Sequence, residues 1–338
     1  MLVVASTLEQ DDHETGPYHP EQIGRLSAAV SSLKGQDFAG DLDWLAPRPA
    51  TSGELQAVHD PRYLNGIIDL CAVGGGQIDP DTVVSPGSWD TARFAAGAGL
   101  AAVDAVASGA SRAALVLSRP PGHHAGRASG MGFCIVNNIA VTAAALAARG
   151  EKVAIIDWDV HHGNGTQEIF WSDPSVLYVS LHQWPLYPGT GRVTERGEGP
   201  GLGTTMNLPL PPGSTGDTYL ACFDEVILPA VERFSPTWLL ISAGFDAHRD
   251  DPLADMSLSS ADFADLTGRL IGLSESRTPL VLFLEGGYDL RALSLSVAAC
   301  AARLLDVPYR PETATIGGNG LTRVADYRYT FSEGGLQT

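Results

Sequence analysis

A dense group of ionisable residues follows one apolar run of the chain, in the segment IIDWDVHHGNG (155–165). On an extended chain alternate residues point to the same side, so Asp157, Asp159 and His161 share one side. An Asp-x-His pair joined by a distant carboxylate would make a three-ligand site with an open position, which is typical of catalytic zinc. Asp246, which ends another apolar run, is the best candidate for that carboxylate. Together these residues predict a metal site, although any one alone would more often be a helix cap or a loop residue.

Two adjacent histidines, His123 and His124, lie in the segment PPGHHAG. The prolines restrict the backbone there, and the glycine permits close approach. Adjacent histidines could be metal ligands, but they lack the alternate spacing that puts two ligands on one side. Proton transfer near neutral pH is therefore the favoured interpretation. The segment EGGY would bring the phenol of Tyr288 to the same pocket, as a donor to an oxygen that gains charge, although this motif alone is a weak signal.

Alternating strand and helix patterns must position these residues. Apolar runs typical of strands buried on both faces are Ala113–Ser118, Lys152–Asp157, Ser175–His182, Thr237–Asp246 and Pro279–Gly287. Helical patterns cover Trp89–Gly109, Asn137–Gly150, Asp217–Phe234 and Ser259–Ser276. Such repeats predict the α/β class, with a parallel sheet and helices on both faces. Ligands bind beyond the carboxyl ends of such strands, which is where the polar segments fall.

We expect a single domain over residues 1–338, because no linker, repeat or low-complexity segment interrupts the pattern. Gly150 is placed to end its helix, and Ser259 with Asp262 resembles a capping box. The Gly- and Pro-rich stretch Gln183–Gly213 is too long for an ordinary loop, and we expect it to be functional.

Composition excludes several classes of protein. Of the 338 residues, 44% are hydrophobic and 18% charged, which is typical of a globular chain. The formal net charge of −18 argues against nucleic acid as a ligand and would attract cations. The four cysteines form no CxxC motif, so we expect a reducing compartment. Neither a signal peptide nor a membrane span is recognisable, so we expect a cytoplasmic protein without membrane contact, and a homo-oligomer is possible.

Five segments carry a resemblance to a known family. These are RPPGHHAG, GFCIVNN, DWDVHHGNG, SAGFDAHRDDPL and LEGGY. In combination the chain resembles the zinc-dependent histone deacetylase and acetylpolyamine amidohydrolase family, and in particular its class II branch and bacterial relatives. The similarity runs from His19 to beyond Glu285. It implies one domain of the arginase–deacetylase fold, with a mainly parallel eight-stranded sheet and long loops that form a substrate tunnel.

The resemblance implies roles for individual residues. The family's zinc ligands match Asp159, His161 and Asp246. Its catalytic positions match His123, His124, Asp157, Asn164 and Tyr288. Asp157 and Asn164 would be the partners of the first and second histidine. Because a neutral partner stabilises an imidazolium less than a carboxylate does, His124 should stay neutral more easily.

The same resemblance implies a tunnel and potassium sites. Phe133 and Tyr187 match the aromatic tunnel walls, with Gly132 beside them, and Leu253 falls at a gatekeeper position that is acidic in some polyamine-selective relatives. One potassium site would use Asp157, Ser180 and Leu181, with the main chain of Asp159 and His161. A second would use Phe170, Asp173 and Val176.

The expected activity is zinc-dependent hydrolysis of an amide, which removes an acetyl or other acyl group from a lysine-like primary amine. Leu253 offers no charge to a second ammonium, so acetylpolyamines and other small acetylated amines rank second. Two further alternatives are a binuclear manganese ureohydrolase of the same fold, which would need additional carboxylates, and a non-catalytic binding protein. Zn²⁺ is the expected cofactor, with K⁺ in a structural role.

Overall fold

A parallel sheet lies at the centre of the computed structural model, which describes residues 1–274 and 278–332. The strands of these residues are β1 (Leu2–Ser6), β2 (Leu42–Leu45), β3 (Gly76–Asp79), β4 (Thr82–Val84), β5 (Ala113–Leu117), β6 (Val153–Asp157), β7 (Val176–Gln183), β8 (Thr205–Leu210), β9 (Trp238–Ala243) and β10 (Leu280–Leu284). Within this part of the chain, the eight-stranded sheet has the order β2-β1-β5-β10-β9-β6-β7-β8, and its neighbouring strands are parallel. β3 and β4 form a separate antiparallel pair. The predicted fold class is confirmed.

Helices connect the strands and cover the sheet. In the described residues they are α1 (Ile23–Lys34), α2 (Ser52–Gln56), α3 (Pro61–Ala72), α4 (Ser88–Ala107), α5 (Asn138–Ala147), α6 (Asn164–Ile169), α7 (Gly216–Cys222), α8 (Leu228–Phe234), α9 (Ser260–Ser274), α10 (Leu290–Leu305) and α11 (Arg323–Phe331). A π-helical turn, Phe223–Ile227, joins α7 to α8, so the predicted helix Asp217–Phe234 is one interrupted run. The last two positions of the predicted helix Ser259–Ser276 lie outside the described residues.

Two hydrophobic layers sandwich the sheet, because side chains alternate along each strand. In β6, Ala154 and Ile156 belong to one layer, while Val153 and Ile155 belong to the other. The first layer includes α1, α9 and α10, which pack side by side, and the second includes α3, α4 and α5. β6 is therefore apolar on both faces until Asp157, its last residue. The first polar side chain of the strand thus appears at the carboxyl edge of the sheet.

The apolar runs do not reveal the strands β1, β2 and β8. Two of these, β2 (LDWL) and β8 (TMNLPL), lie at the edges of the sheet, where only one neighbour is needed and polar residues are tolerated. β8 lies inside Gln183–Gly213, so the stretch that is too long for an ordinary loop contains a strand. The predicted strand Thr237–Asp246 ends early, at Ala243, which places Asp246 in the following loop.

The predicted helix ends are partly as expected. Gly150 has φ +84° after α5, which is the left-handed conformation of a terminating glycine. The carboxylate of Asp262 accepts from the backbone N–H of Ser259 at 2.8 Å, which is half of a capping box. The hydroxyl of Ser259 donates to the same carboxylate, at 3.0 Å, and to the carbonyl of Thr313, so the other half is not formed.

The four cysteines are buried and form no disulfide. Among the described residues, no helix combines the length and the apolar character needed to cross a membrane.

Candidate active site

Three side chains converge at the carboxyl ends of β6 and β9, which are neighbours in the sheet. Asp159 and His161 follow β6, and Asp246 follows β9. One ligand atom of each lies within 4.8 Å of the others. The Nδ1 atom of His161 is 3.2 Å from Asp159 Oδ1 and 3.1 Å from Asp246 Oδ2. We call these three residues the ligand corner.

Backbone groups orient the two carboxylates of the ligand corner. Asp159 Oδ2 accepts from the N–H of Gly286 at 2.8 Å, and Asp246 Oδ1 accepts from the N–H of Val160 at 2.9 Å. A Cβ atom added at Gly286 would lie 2.1 Å from the other oxygen of Asp246, so only glycine fits there. Asp159 is 1% exposed and Asp246 0%. Two buried carboxylates this close need a positive charge between them.

The charge balance of the ligand corner fits a cation. Burial would lower the pKa of His161, but hydrogen bonds to Asp159 and Asp246 raise it to about 10, so the imidazole holds a proton. Burial, together with the nearby charge of Asp159, raises the pKa of Asp246. Two carboxylates and one imidazole are a donor set that zinc uses with an open coordination position. A divalent cation would replace the proton that His161 carries.

The tandem histidines lie beside the ligand corner and have different partners. His123 Nδ1 is 3.0 Å from Asp157 Oδ2, and His124 Nδ1 is 2.7 Å from Asn164 Oδ1. The two rings are 4.1 Å apart. Asp157 Oδ2 also accepts from the hydroxyl of Tyr178 at 3.0 Å. The predicted partners of both histidines are therefore in contact with them.

The pKa values of the two histidines are shifted in opposite directions. Burial would lower the pKa of His123, but the carboxylates of Asp159 and Asp157 outweigh it and raise that pKa well above its usual value. Burial lowers the pKa of His124 well below its usual value, and the charges of His123 and His161 lower it further. One imidazole is therefore charged near neutral pH and the other is neutral.

Tyr288 follows two glycines after β10. Gly287 has φ +118°, and the backbone N–H of Tyr288 donates to Asp251 Oδ2 at 2.7 Å. Nε of Arg25 donates to the carbonyl of Gly287 at 2.7 Å, and its guanidinium lies 4.9 Å from the centre of the Tyr288 ring. The ring of Phe133 lies edge-on to that of Tyr288 at 5.6 Å. Tyr288 is thus held by contacts on several sides.

Aromatic rings border the site. Tyr187 lies 5.3 Å from the ring of His124 and 6.3 Å from that of His161, and it is 36% exposed. Phe133 has φ 69°, and Gly132 before it has φ +55°. A Cβ atom at Gly132 would lie 2.4 Å from the His124 ring. We call Gly132, Phe133 and Tyr187 the aromatic rim.

The hairpin of β3 and β4 holds one side of the aromatic rim. The N–H of Gly132 donates to Asp81 Oδ1 at 3.1 Å, and the N–H of Phe133 donates to the hydroxyl of Thr82 at 3.0 Å. Leu253 lies half-buried in the loop after β9, and its N–H donates to Asp251 Oδ1 at 3.0 Å. Leu253 therefore shares an anchor with Tyr288.

The residues predicted to bind potassium lie in two groups. Ser180 is paired in register with Asp157 across β7 and β6, and Leu181 is the next residue. In the second group, the N–H of Asp173 donates to the carbonyl of Phe170 at 3.0 Å, and Val176 begins β7. The carboxylate of Asp173 accepts from the backbone and the hydroxyl of Ser175. Potassium binding at both groups stays a prediction.

Several residues that the sequence reading left without a role support the site. Glu285 is buried and accepts from the N–H groups of Gly122 and His123, at 2.7 and 3.2 Å, and burial raises its pKa to about 7. Asp251 and Asp81 anchor Tyr288 and the rim. Glu285 is part of the motif LEGGY, but nothing in its own neighbourhood indicates that its partner follows β5.

A second cluster of metal-type side chains is satisfied by hydrogen bonds within the protein. Nε2 of His248 bonds with Glu312 Oε2 at 2.9 Å, and the same carboxylate accepts from Ser260 and contacts Arg249. Nδ1 of His248 accepts from the N–H of Asp250 at 3.2 Å. With both ring nitrogens engaged and an arginine present, this cluster does not resemble a metal site.

Comparison with known proteins gives the family. The histone deacetylase domain family matches residues 19–304. A histone deacetylase-like amidohydrolase of Pseudomonas aeruginosa is 43% identical over 275 residues, which cover 80% of this chain and 72% of that protein. A probable deacetylase of Archaeoglobus fulgidus is 40% identical over 282 residues, which cover 82% of this chain and 78% of that protein.

Structural comparison agrees with these matches. The crystal structure of the HDA15 HD domain superposes with a TM-score of 0.89 at 36% identity, and the match covers 98% of this chain and 97% of that one. The chain belongs to the histone deacetylase and acetylpolyamine amidohydrolase family and is a deacetylase, a hydrolase that acts on amides.

Proposed function

We propose that the chain is a zinc-dependent deacetylase that removes an acetyl or other acyl group from a lysine-like primary amine. The observation that carries the proposal is the ligand corner, whose three buried donors lie within 4.8 Å of one another beside the tandem histidines. Asp159, His161 and Asp246 would hold the metal. When bound, Zn²⁺ supplies a Lewis acid for the amide carbonyl and lowers the pKa of a water to about 7.

His124 is suited to act as the general base. Its Nδ1 faces the amide oxygen of Asn164, so Nδ1 carries the proton and Nε2 presents a lone pair. The low pKa of His124 keeps the ring neutral until it accepts a proton from water. That proton is then available to the departing amine, since the carbon–nitrogen bond breaks only to a neutral leaving group.

His123 and Tyr288 would stabilise the charge that develops on the carbonyl oxygen. The charged His123 is held by Asp157 and adds a fixed positive charge beside the reacting atoms. Burial raises the pKa of the Tyr288 phenol well above its usual value, so the phenol stays protonated. Its hydroxyl can therefore donate a hydrogen bond to an oxyanion.

An acyl-lysine or a similar small acylated amine is the substrate class that we propose. The rings of the aromatic rim suit the apolar chain of a lysine, and Leu253 brings no charge to a second ammonium. The net charge of −18 would favour any cation, but it is screened over about 8–10 Å and steers encounter rather than choosing a substrate. Acetylpolyamines are the second candidate, because the net charge would attract them but Leu253 gives their second ammonium no charged partner.

A comparison of substrates at fixed ionic strength tests the proposal. The zinc-loaded protein is assayed with an acetyl-lysine peptide, acetylputrescine and N8-acetylspermidine. We expect the largest kcat/KM for the peptide, and dependence of turnover on zinc after chelation and reconstitution. A hundredfold or greater preference for the polyamines would overturn the substrate ranking, and full turnover by the metal-free protein would overturn the zinc proposal.

A further inference from the structure

Asp251 connects two segments that are distant in the sequence. Its side chain is buried, with 6% of the residue exposed. Oδ2 accepts from the N–H of Tyr288 at 2.7 Å, and Oδ1 accepts from the N–H of Leu253 at 3.0 Å. The bond to Leu253 spans two residues and forms a local turn, whereas the bond to Tyr288 spans 37 residues. One carboxylate therefore joins the loop after β9 to the segment after β10.

Hydrogen bonds hold the backbone just before Tyr288: the N–H of Gly286 donates to Asp159 Oδ2 at 2.8 Å, and the carbonyl of Gly286 accepts from the N–H of Phe245 at 3.0 Å. Gly286 and Gly287 have no side chains to pack, and Gly287 adopts φ +118°. Arg25 donates to the carbonyl of Gly287, whereas the backbone N–H of Tyr288 donates to Asp251. A donor to an oxyanion must lie within about 0.2 Å of its best distance of roughly 2.9 Å, so a small shift of this backbone would remove much of its effect.

We infer that Asp251 is a positioning residue, which places the phenol of Tyr288 for its reaction and couples that placement to the loop of Leu253. The inference rests on the proposed function, in which Tyr288 donates to the developing oxyanion. Asp251 itself does not touch the ligand corner through any hydrogen bond of its side chain. The part of its effect that passes through Tyr288 is lost when the phenol is absent, whereas an effect of its charge on Asp246 would persist.

Asp251→Asn is a selective test. The local turn to Leu253 is one that asparagine also forms, so its amide oxygen stays with that N–H. The amide NH₂ group then faces the N–H of Tyr288, and the bond between the two segments is lost. Asp250→Asn is the matched control, because it makes the same substitution one residue away, at a side chain that is 53% exposed.

The first measurement is a double-mutant cycle with Tyr288→Phe, using the zinc-loaded full chain. We expect Asp251→Asn to lower kcat about tenfold with a smaller change in KM, since a misplacement of about 1 Å can cost up to about 100-fold. In the Tyr288→Phe background, where there is no phenol to place, the same change should have less than a twofold effect. An equal loss in both backgrounds would show a general structural role and would overturn the inference.

The second measurement does not depend on activity. All nine tyrosines are replaced by 3-fluorotyrosine, and Tyr288→Phe identifies the ¹⁹F resonance of Tyr288. We expect Asp251→Asn to shift or broaden that resonance and Asp250→Asn to leave it unchanged. An unchanged Tyr288 resonance in folded, zinc-loaded Asp251→Asn would overturn the inference. If instead the resonance moves but Tyr288→Phe retains full activity, the placement stands and the proposed role of Tyr288 fails.

Discussion

The ligand corner and the aromatic rim lie side by side but are built differently. Asp159 and Asp246 are 1% and 0% exposed and lie just beyond the ends of adjacent parallel strands, where backbone N–H groups hold both carboxylates. Tyr187 is 36% exposed, and Phe133 lies in a loop with φ 69°. Hydrogen bonds to the separate β3–β4 hairpin hold the rim, such as the bond that the N–H of Phe133 donates to the hydroxyl of Thr82.

This difference separates the part of the site that must be kept from the part that can be changed. A substitution in the ligand corner leaves a buried charge without its partner, which is costly. A substitution of Phe133 or Tyr187 in the rim changes a partly exposed side chain, for which a smaller effect on the fold is expected. Chemistry should therefore depend on the corner, and choice of substrate on the rim.

The largest expected effect is in the corner. Asp246→Ala removes one of three donors and should weaken zinc binding by more than about 100-fold, with activity lost in proportion. Elemental analysis after dialysis, together with turnover of an acetyl-lysine peptide, measures both. Asp250→Ala, which removes an exposed carboxylate of the same loop, should retain zinc. Full zinc content and normal turnover in Asp246→Ala would refute the ligand assignment.

Tyr288→Phe should lower kcat by about 10²–10³ while KM changes less, because the hydroxyl acts mainly on charge that develops in the transition state. Zinc content and thermal stability should stay close to those of the wild type. Steady-state kinetics with the acetyl-lysine peptide test this expectation. A variant with near wild-type kcat would remove Tyr288 from the mechanism.

Asn164→Asp should change the pH dependence by placing a carboxylate 2.7 Å from His124 Nδ1. A negative partner favours the imidazolium, so the pKa of His124 should rise by about 1–3 units. A base acts in its neutral form, so activity is present above this pKa and is lost as the pH falls through it. The acid limb of the kcat/KM profile should therefore move to higher pH.

The exposed Asn65 of α3 provides the control for this change of charge. Asn65→Asp should leave the acid limb of the profile where it is. An unmoved profile in Asn164→Asp would show that the titration of His124 does not limit the reaction.

The smallest expected effect is in the loop that borders the rim. Leu253→Glu adds a negative charge that can pair with the second ammonium of an acetylpolyamine. It should raise the kcat/KM ratio of N8-acetylspermidine to acetyl-lysine peptide about fivefold, which corresponds to about 1 kcal/mol. Leu202→Glu adds the same charge at a residue that is 68% exposed and should leave the ratio unchanged. If both variants change the ratio equally, net charge rather than position 253 controls it.

The same division explains what could be predicted from the sequence. Two residues of the ligand corner, Asp159 and His161, could be predicted from the sequence, because alternate residues of an extended chain point to the same side. That prediction needs no knowledge of distant contacts. The different pKa values of His123 and His124 could be predicted in part, because one has a carboxylate partner, Asp157, and the other an amide partner, Asn164.

The hydrogen-bond partners that hold the rim and Tyr288 could not be predicted from the sequence. Asp81 and Gly132 are 51 residues apart, Asp251 and Tyr288 are 37 apart, and Glu285 and Gly122 are 163 apart. These hydrogen bonds depend on how loops from different strands pack together, and the local sequence pattern does not determine that packing. The edge strand β8 was missed for a related reason, since its polar residues give no apolar run.

The backbone of Phe133 has a consequence for laboratory evolution of this enzyme. A bulky residue at φ 69° costs roughly 1 kcal/mol or more relative to glycine or asparagine, which accept this conformation. Selection for heat resistance alone would therefore enrich glycine or asparagine at position 133, and the enriched variants would have lost one wall of the site. Libraries screened only for survival at high temperature would yield enzymes that are more thermostable but less selective for their substrate. Variants at this position should therefore be selected for substrate selectivity and stability together.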